Sequence, residues 1–342
     1  MERNGHILRF YMFLWASLFL LLCGTAKSQQ TQPYTQYLFD RYLLNPAACG
    51  SNGYANIGVV IKDQWTGFKG APSNQMLSGQ IRLPREGLFG TRSRRGSSGR
   101  GYSPENVGIG VSLFNDIRGP IRTTGAQLSY AYHLEDQMGV TSFGLSVNMF
   151  QLYLDRNKIV TEEEDIFLNS SRLSSFVPDA IFGVQYTMRD YYIGVSVSNV
   201  FQSFLMLGGR NSSAYRIERQ YNLLAGYIFE VSPEWSIVPT LNAKCNDHLS
   251  FQLDANVIMY YFDQFWGGLS YRTGGGGVPG STSIMFGARY KQYFFGYAFD
   301  YSMSAMRRYS YGSHELMATV TFGQPERFFR FKRRYEYQSS VR

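Results

Sequence analysis

In "VGIGVSLF" (residues 107–114) every second residue is apolar. Val107, Ile109, Val111 and Leu113 share one face, while Gly108, Gly110 and Ser112 share the other. The same period returns along the chain. Leu128, Tyr130, Tyr132 and Leu134 oppose Gln127, Ser129 and His133. Phe143, Leu145, Val147 and Met149 oppose Ser142, Gly144, Ser146 and Asn148. Phe251, Leu253, Ala255 and Val257 oppose Ser250, Gln252, Asp254 and Asn256. A period of two is that of an extended strand, whose side chains point alternately to its two faces. Past the first 28 residues no apolar run reaches the length of a membrane helix. The chain is therefore expected to be all-β.

Two architectures satisfy that pattern. A soluble sandwich turns its apolar faces inward and shows a charged face to water. A membrane barrel turns its apolar face to lipid and its small or polar face to the lumen. Here the polar face is rich in Gly, Ser, Asn and Gln and poor in Lys and Glu. The 26 Tyr, 26 Phe and 35 Gly suit short strands with aromatic ends. Tyr and Phe crowd the strand ends of "RDYYIGV" (189–195) and "KQYFFGYAFDY" (291–301), as in interfacial aromatic girdles. The pattern predicts a transmembrane antiparallel β-barrel of about fourteen strands between residues 54 and 323. Predicted connections alternate between tight turns and long loops, as periplasmic turns and outer loops do. That alternation places both termini in the periplasm.

The first 28 residues read as a cleaved signal peptide. Arg3, His6 and Arg9 precede the apolar run 10–23, and Ala26–Ser28 offers small residues for cleavage. A transmembrane anchor is the alternative, but the run is short for one. The export signal argues against nucleic acid as the target of the net charge of +8, and no nucleic-acid partner is expected. Residues 29–53 are expected to form a periplasmic lead-in segment, and 324–342 a basic-aromatic periplasmic tail. Cys49 and Cys245 are expected on opposite sides of the membrane and unpaired, with a single disulfide as the alternative.

No constellation of catalytic residues stands out, and neither a cofactor nor a metal is expected. His133 belongs to the lumen face of a strand, His248 to a strand start, and His314 is adjacent to Glu315 on the opposite strand face. Residues 273–282 look like a phosphate loop, but Ser281 stands where the Lys is required. "TEEED" (161–165) reads as a solvated charge run rather than a calcium site.

Two segments are candidate partner-binding sites. "DQWTGFKGAP" (63–72) mixes Gly67, Gly70 and Pro72 with Trp65 and Phe68, a composition unsuited to a core strand. It is expected to turn at the extracellular rim, with Trp65 in rim structure and Phe68 and Lys69 as candidate contacts. The tail interleaves Arg327, Arg330, Arg333 and Arg334 with Phe328 and Phe329, which resembles interface hot spots. Contact with anionic lipid headgroups is the competing role.

An ordered set of motifs also resembles the PorP/SprF family of outer-membrane proteins. These are Gln36–Phe39 (Q-Y-x-F), Asn45–Ala47 with Gly50, and Gln64–Pro72 (Q-W-x-G-F-x-G-A-P). "YYIGVSVSNVF" (191–201), "FWGGLSYR" (265–272) and "SHELM" (313–317) continue the likeness. The resemblance implies a non-enzymatic role in type IX secretion and, in some members, gliding motility. It implies partners in outer-membrane lipid, in periplasmic secretion components (a peptidoglycan-associated lipoprotein) and in a secreted surface adhesin. Asn74 and Gly79 stand where members often carry Thr and His, so no role resting on that His transfers. A passive diffusion channel, for which Gly, Ser and Gln would line a wet lumen, is the alternative function, and a lipid-active enzyme a third.

Overall fold

Lipid offers no hydrogen bonds, so a sheet that crosses it must pair every strand on both sides. The computed structural model describes residues 34–53, 55–83, 106–136, 138–158, 174–205, 215–274 and 280–322. Its strands are β1 (Ala55–Asp63), β2 (Ser73–Arg82), β3 (Val107–Arg118), β4 (Ile121–Glu135), β5 (Val140–Leu154), β6 (Ser174–Thr187) and β7 (Tyr191–Ser198). Then come the two-residue strands β8 (Phe204–Leu205) and β9 (Tyr215–Arg216), β10 (Gln220–Tyr227) and the short β11 (Phe229–Glu230). β12 (Trp235–Asn246), β13 (Phe251–Tyr261), β14 (Phe265–Arg272), β15 (Ser281–Tyr290), β16 (Tyr293–Ser302) and β17 (Ser313–Phe322) complete the set.

Fourteen of these form one antiparallel wall. β1 through β7, β10 and β12 through β17 each pair with their neighbours in chain order. β17 pairs back onto β1 from Ala55↔Phe322 to Asp63↔His314, which closes the barrel. β8 and β9 form a separate hairpin in a loop. The signal-peptide segment, the basic stretch 84–104, the acidic run 161–165 and the C-terminal tail lie outside the described residues.

Faces sort as the alternation demands. Ile109, Val111, Leu113, Leu128, Leu145 and Val147 are exposed on the outside. Ser112, Gln127, Ser129, His133, Ser142 and Ser146 are buried on the inside. Small polar side chains inside and branched apolar ones outside reverse a soluble sandwich, as a lipid-facing wall requires.

The inside holds more than small polar groups. Residues 34–51, expected as a periplasmic lead-in, are packed within the wall as three short 3₁₀ turns, Tyr37–Phe39, Arg41–Leu43 and Pro46–Ala48. The first described residues reach the Asp63 end, where Thr35 Oγ1 donates to Asp300 at 2.7 Å. Cys49 lies toward the Ala55 end, where its carbonyl meets His133 Nε2 at 2.9 Å. The chain then turns into β1. The described chain thus begins toward one end of the barrel and stops, at Phe322, at the other. The expectation that both termini lie in the periplasm concerns residues outside those described.

Candidate functional site

The lumen segment is fixed by buried side chains of the wall. Glu315, fully buried on β17, accepts the backbone N–H of Thr35 and of Gln36, each at 2.7 Å. Lys62, its register partner across the closing seam, lies 3.2 Å from Glu315 and 2.7 Å from Asp300 on β16. Lys62 also donates to Thr35 Oγ1 at 2.8 Å. Two carboxylates thus share one ammonium, Glu315 also accepting two N–H groups of the inserted segment and Asp300 its Thr35 hydroxyl. Buried charges are tolerated where they are paired and hydrogen-bonded in this way.

A second buried charge group stands on the adjoining wall. Asp254 accepts from Lys244 and Arg272, both at 3.1 Å, and from Gln252 at 2.8 Å. Asn256 donates to the Tyr37 hydroxyl at 3.0 Å, and Lys244 lies over the Tyr37 ring. Farther along, Asp40 accepts from Ser78 and, at 3.0 Å, from Gln80. Tyr42 donates to the Val111 carbonyl at 2.8 Å. Asn45 caps Ala47 N–H at 3.0 Å with its Oδ1, and its amide donates to the Val184 and Val195 carbonyls of β6 and β7. Gly50 N–H donates to Gln80 Oε1 at 2.9 Å.

Apolar packing supplies the rest. Phe39 lies 4.5 Å from Trp266 and 4.9 Å from Phe294, ring centre to ring centre, and those two rings are themselves stacked. Tyr37 and Leu38 join Met285, Met317 and Ile258 in one buried cluster inside the barrel. The Arg41 guanidinium covers the Tyr192 ring at 4.1 Å.

The wall is shaped to this segment. A Cβ on Gly144 would stand 2.1 Å from Ala47 N, and one on Gly108 2.1 Å from the Cys49 carbonyl oxygen. At Gly183 it would meet Asn45 Oδ1 at 2.0 Å, and at Gly296 Gln36 Oε1 at 2.2 Å. These lumen-facing glycines of β3, β5, β6 and β16 let the inserted backbone approach the wall.

At the Asp63 end, residues 64–72 form a turn tied to the loop before β17. Thr66 N–H donates to the Gly312 carbonyl at 2.9 Å, and Tyr311 N–H to the Thr66 carbonyl at 2.9 Å. Trp65 N–H donates to Ser313 Oγ at 3.2 Å. Gln64 turns inward to Asn74, which reaches Asp116. Trp65 is partly buried with φ of 47°, whereas Phe68 and Lys69 are exposed.

Residues 26–320 match the family described as "Type IX secretion system membrane protein PorP/SprF". The chain belongs to this family. It is an outer-membrane barrel of the type IX secretion system, and membership makes other components of that machinery its partners. No curated protein matches the chain. Among solved structures it is similar to the toluene transporter TbuX of Ralstonia pickettii, at 11% identity, covering 82% of this chain and 91% of that one, with a TM-score of 0.44. The outer-membrane protein Omp33 of Acinetobacter baumannii matches at 7% identity over 79% of this chain and 100% of that one, TM-score 0.44. The translocator domain of autotransporter NalP from Neisseria meningitidis matches at 10% identity over 84% and 95%, TM-score 0.42.

Within this PorP/SprF protein the first three motifs of the resemblance fall into two places, and the other three lie on or beside β7, β14 and β17 of the wall. Gln36–Phe39, Asn45–Ala47 and Gly50 make the lumen contacts, and Gln64–Pro72 makes the rim turn. Trp65, Phe68 and Lys69 are together at the rim. The tail candidates Arg327, Phe328, Phe329, Arg330, Arg333 and Arg334 lie outside the described residues. His133 is hydrogen-bonded to Ser142 and Cys49 inside the barrel, His248 pairs with Glu218 at 3.0 Å, and His314 meets the Tyr297 hydroxyl at 2.7 Å on the outer face. The three are dispersed over the wall. Cys49 and Cys245 are both free.

The lumen segment escaped the sequence pattern, yet a signal for it was present. Ile258, Trp266, Met285 and Phe294 interrupt the alternation with inward apolar side chains between outward apolar neighbours. A water-filled lumen has no use for such residues; a packed one does.

Proposed function

We propose that this barrel is a sealed, non-enzymatic scaffold of type IX secretion. The rim at the Asp63 end faces the cell exterior, and its loops hold a secreted surface protein. The opposite rim faces the periplasm and docks secretion machinery, a peptidoglycan-associated lipoprotein being the partner the family likeness favours.

One observation carries the scaffold reading over a diffusion channel: residues 34–51 occupy the lumen, held by Glu315, Asp300, Gln80 and the Val184 and Val195 carbonyls. A pore needs a continuous wet path. Here the path is taken by the protein's own backbone and an aromatic cluster. Deleting the gene is expected to abolish surface display of type IX cargo while the outer membrane stays intact. Normal display in the deletion strain contradicts the proposal.

A further inference from the structure

The exposed rim beside the barrel seam combines rigidity, exposed positive charge and bare aromatic surface. The turn 64–72 and the loop 303–312 are joined by three backbone and side-chain bonds through Thr66, at 2.9, 2.9 and 3.1 Å. Tyr311 lies over Gly67, where a Cβ would meet its ring at 2.7 Å. The joined loops therefore form one preorganised platform rather than two independent tips.

Six side chains furnish it. Tyr311 is 83% exposed, Tyr309 68% and Phe68 45%. Lys69, Arg307 and Arg308 are exposed too. Among the described residues no carboxylate forms an ion pair with any of these three cations. Exposed aromatics on a fixed frame, with Arg among them, have the composition of interface hot spots.

Height above the membrane selects the kind of occupant. The outer face of β1 runs Ile57, Val59, Ile61 and then Asp63, all exposed. An outward carboxylate has no place against acyl chains, so the apolar band stops below Asp63. The platform lies past that level, in water, where a protein segment rather than a lipid tail reaches it.

We propose that this platform binds an acidic polypeptide segment of a secreted protein, with carboxylates at Lys69, Arg307 and Arg308 and apolar or planar groups against Phe68, Tyr309 and Tyr311. This rests on the outward orientation proposed above and names the chemistry of what the outer loops hold.

The test uses the full chain purified in detergent micelles and a fluorescein-labelled peptide of ten glutamates alternating with leucines. Saturable binding by anisotropy is expected, weakened roughly tenfold or more by Arg307→Ala with Arg308→Ala, and several-fold by Tyr311→Ala, in the range of interface hot spots. A matched serine–leucine peptide is expected to bind at least tenfold more weakly. Equal binding of both peptides, unchanged binding by the variants, or stronger partition onto phosphatidylglycerol vesicles than onto the peptide overturns the proposal. In cells, the triple variant Lys69→Ala, Arg307→Ala, Arg308→Ala is expected to lose surface cargo while its barrel keeps wild-type mobility on unheated gels. Cargo lost in the gene deletion but retained by the triple variant overturns this platform and leaves the scaffold function standing. Cargo retained in both overturns the scaffold function itself.

Discussion

At the residue scale, glycine and glutamate carry the argument. Gly144 and Gly183 face the lumen under Ala47 and Asn45, and neither site has room for a Cβ. Gly144→Val is expected to destabilise the barrel by about 1–3 kcal/mol, the usual cost of overpacking. The readout is the temperature at which the folded band disappears on unheated gels. Gly79→Ala is the comparison, because a Cβ there first meets Val111 Cγ1 at 3.7 Å, an ordinary contact. Its melting is expected to match wild type. Glu315→Gln removes the charge that Lys62 faces across the seam and weakens the bonds that hold Thr35 and Gln36. Asp300 still pairs with Lys62. The expected loss is therefore about 3 kcal/mol, the lower end of what breaking a buried ion pair costs. Wild-type melting of Glu315→Gln would show that the seam does not depend on this group.

At the scale of elements, the strands were legible because lipid enforces their period. Every barrel strand had to present apolar residues at alternate positions, and those positions are printed in the sequence. The wall runs from Ala55 to Phe322 where residues 54 to 323 were expected, a shift of one residue at each end. The lumen segment had no comparable imprint. Three 3₁₀ turns have no hydrophobic period, and the Ser, Asn and Gln that grip residues 34–51 are the types that would equally line water. Inward apolar residues such as Val60, Ile258, Trp266, Met285 and Phe294 betrayed a packed interior, but in strands that already faced lipid such residues are hard to tell from the outer surface. The rim turn lay between these cases. Its glycines announced a bend, and the structure adds why: Gly67 and Gly70 have φ of 90° and 80°, and Gly67 lies under Tyr311. Gly67→Ala is expected to cost about 1–2 kcal/mol through its left-handed backbone, before any contact with Tyr311 is counted. The expected consequence is faster proteolysis within residues 64–72 in intact cells, with the barrel itself protected. Unchanged cleavage would mean that the turn tolerates a Cβ and that the Tyr311 contact is loose.

At the scale of the whole molecule, the barrel and its inserted segment form one folding unit. The charge group of Lys62, Asp300 and Glu315 spans β1, β16 and β17, the strands that meet where the barrel closes. Thr35 and Gln36 complete it from inside. The hydrophobic cluster likewise draws from both the wall and the segment. On the proposed scaffold reading, a chain built this way seals its own lumen and leaves its rims to make contacts. A scaffold in secretion needs that arrangement; a diffusion channel does not.

Conductance in a planar lipid bilayer tests this most directly. The full-length protein is expected to insert without a steady open state. A variant in which residues 36–44 are replaced by a flexible Gly-Ser stretch is expected to conduct, because it lacks Tyr37, Leu38, Phe39 and Tyr42. A large, steady conductance from the unaltered protein would contradict the sealed scaffold and favour a channel.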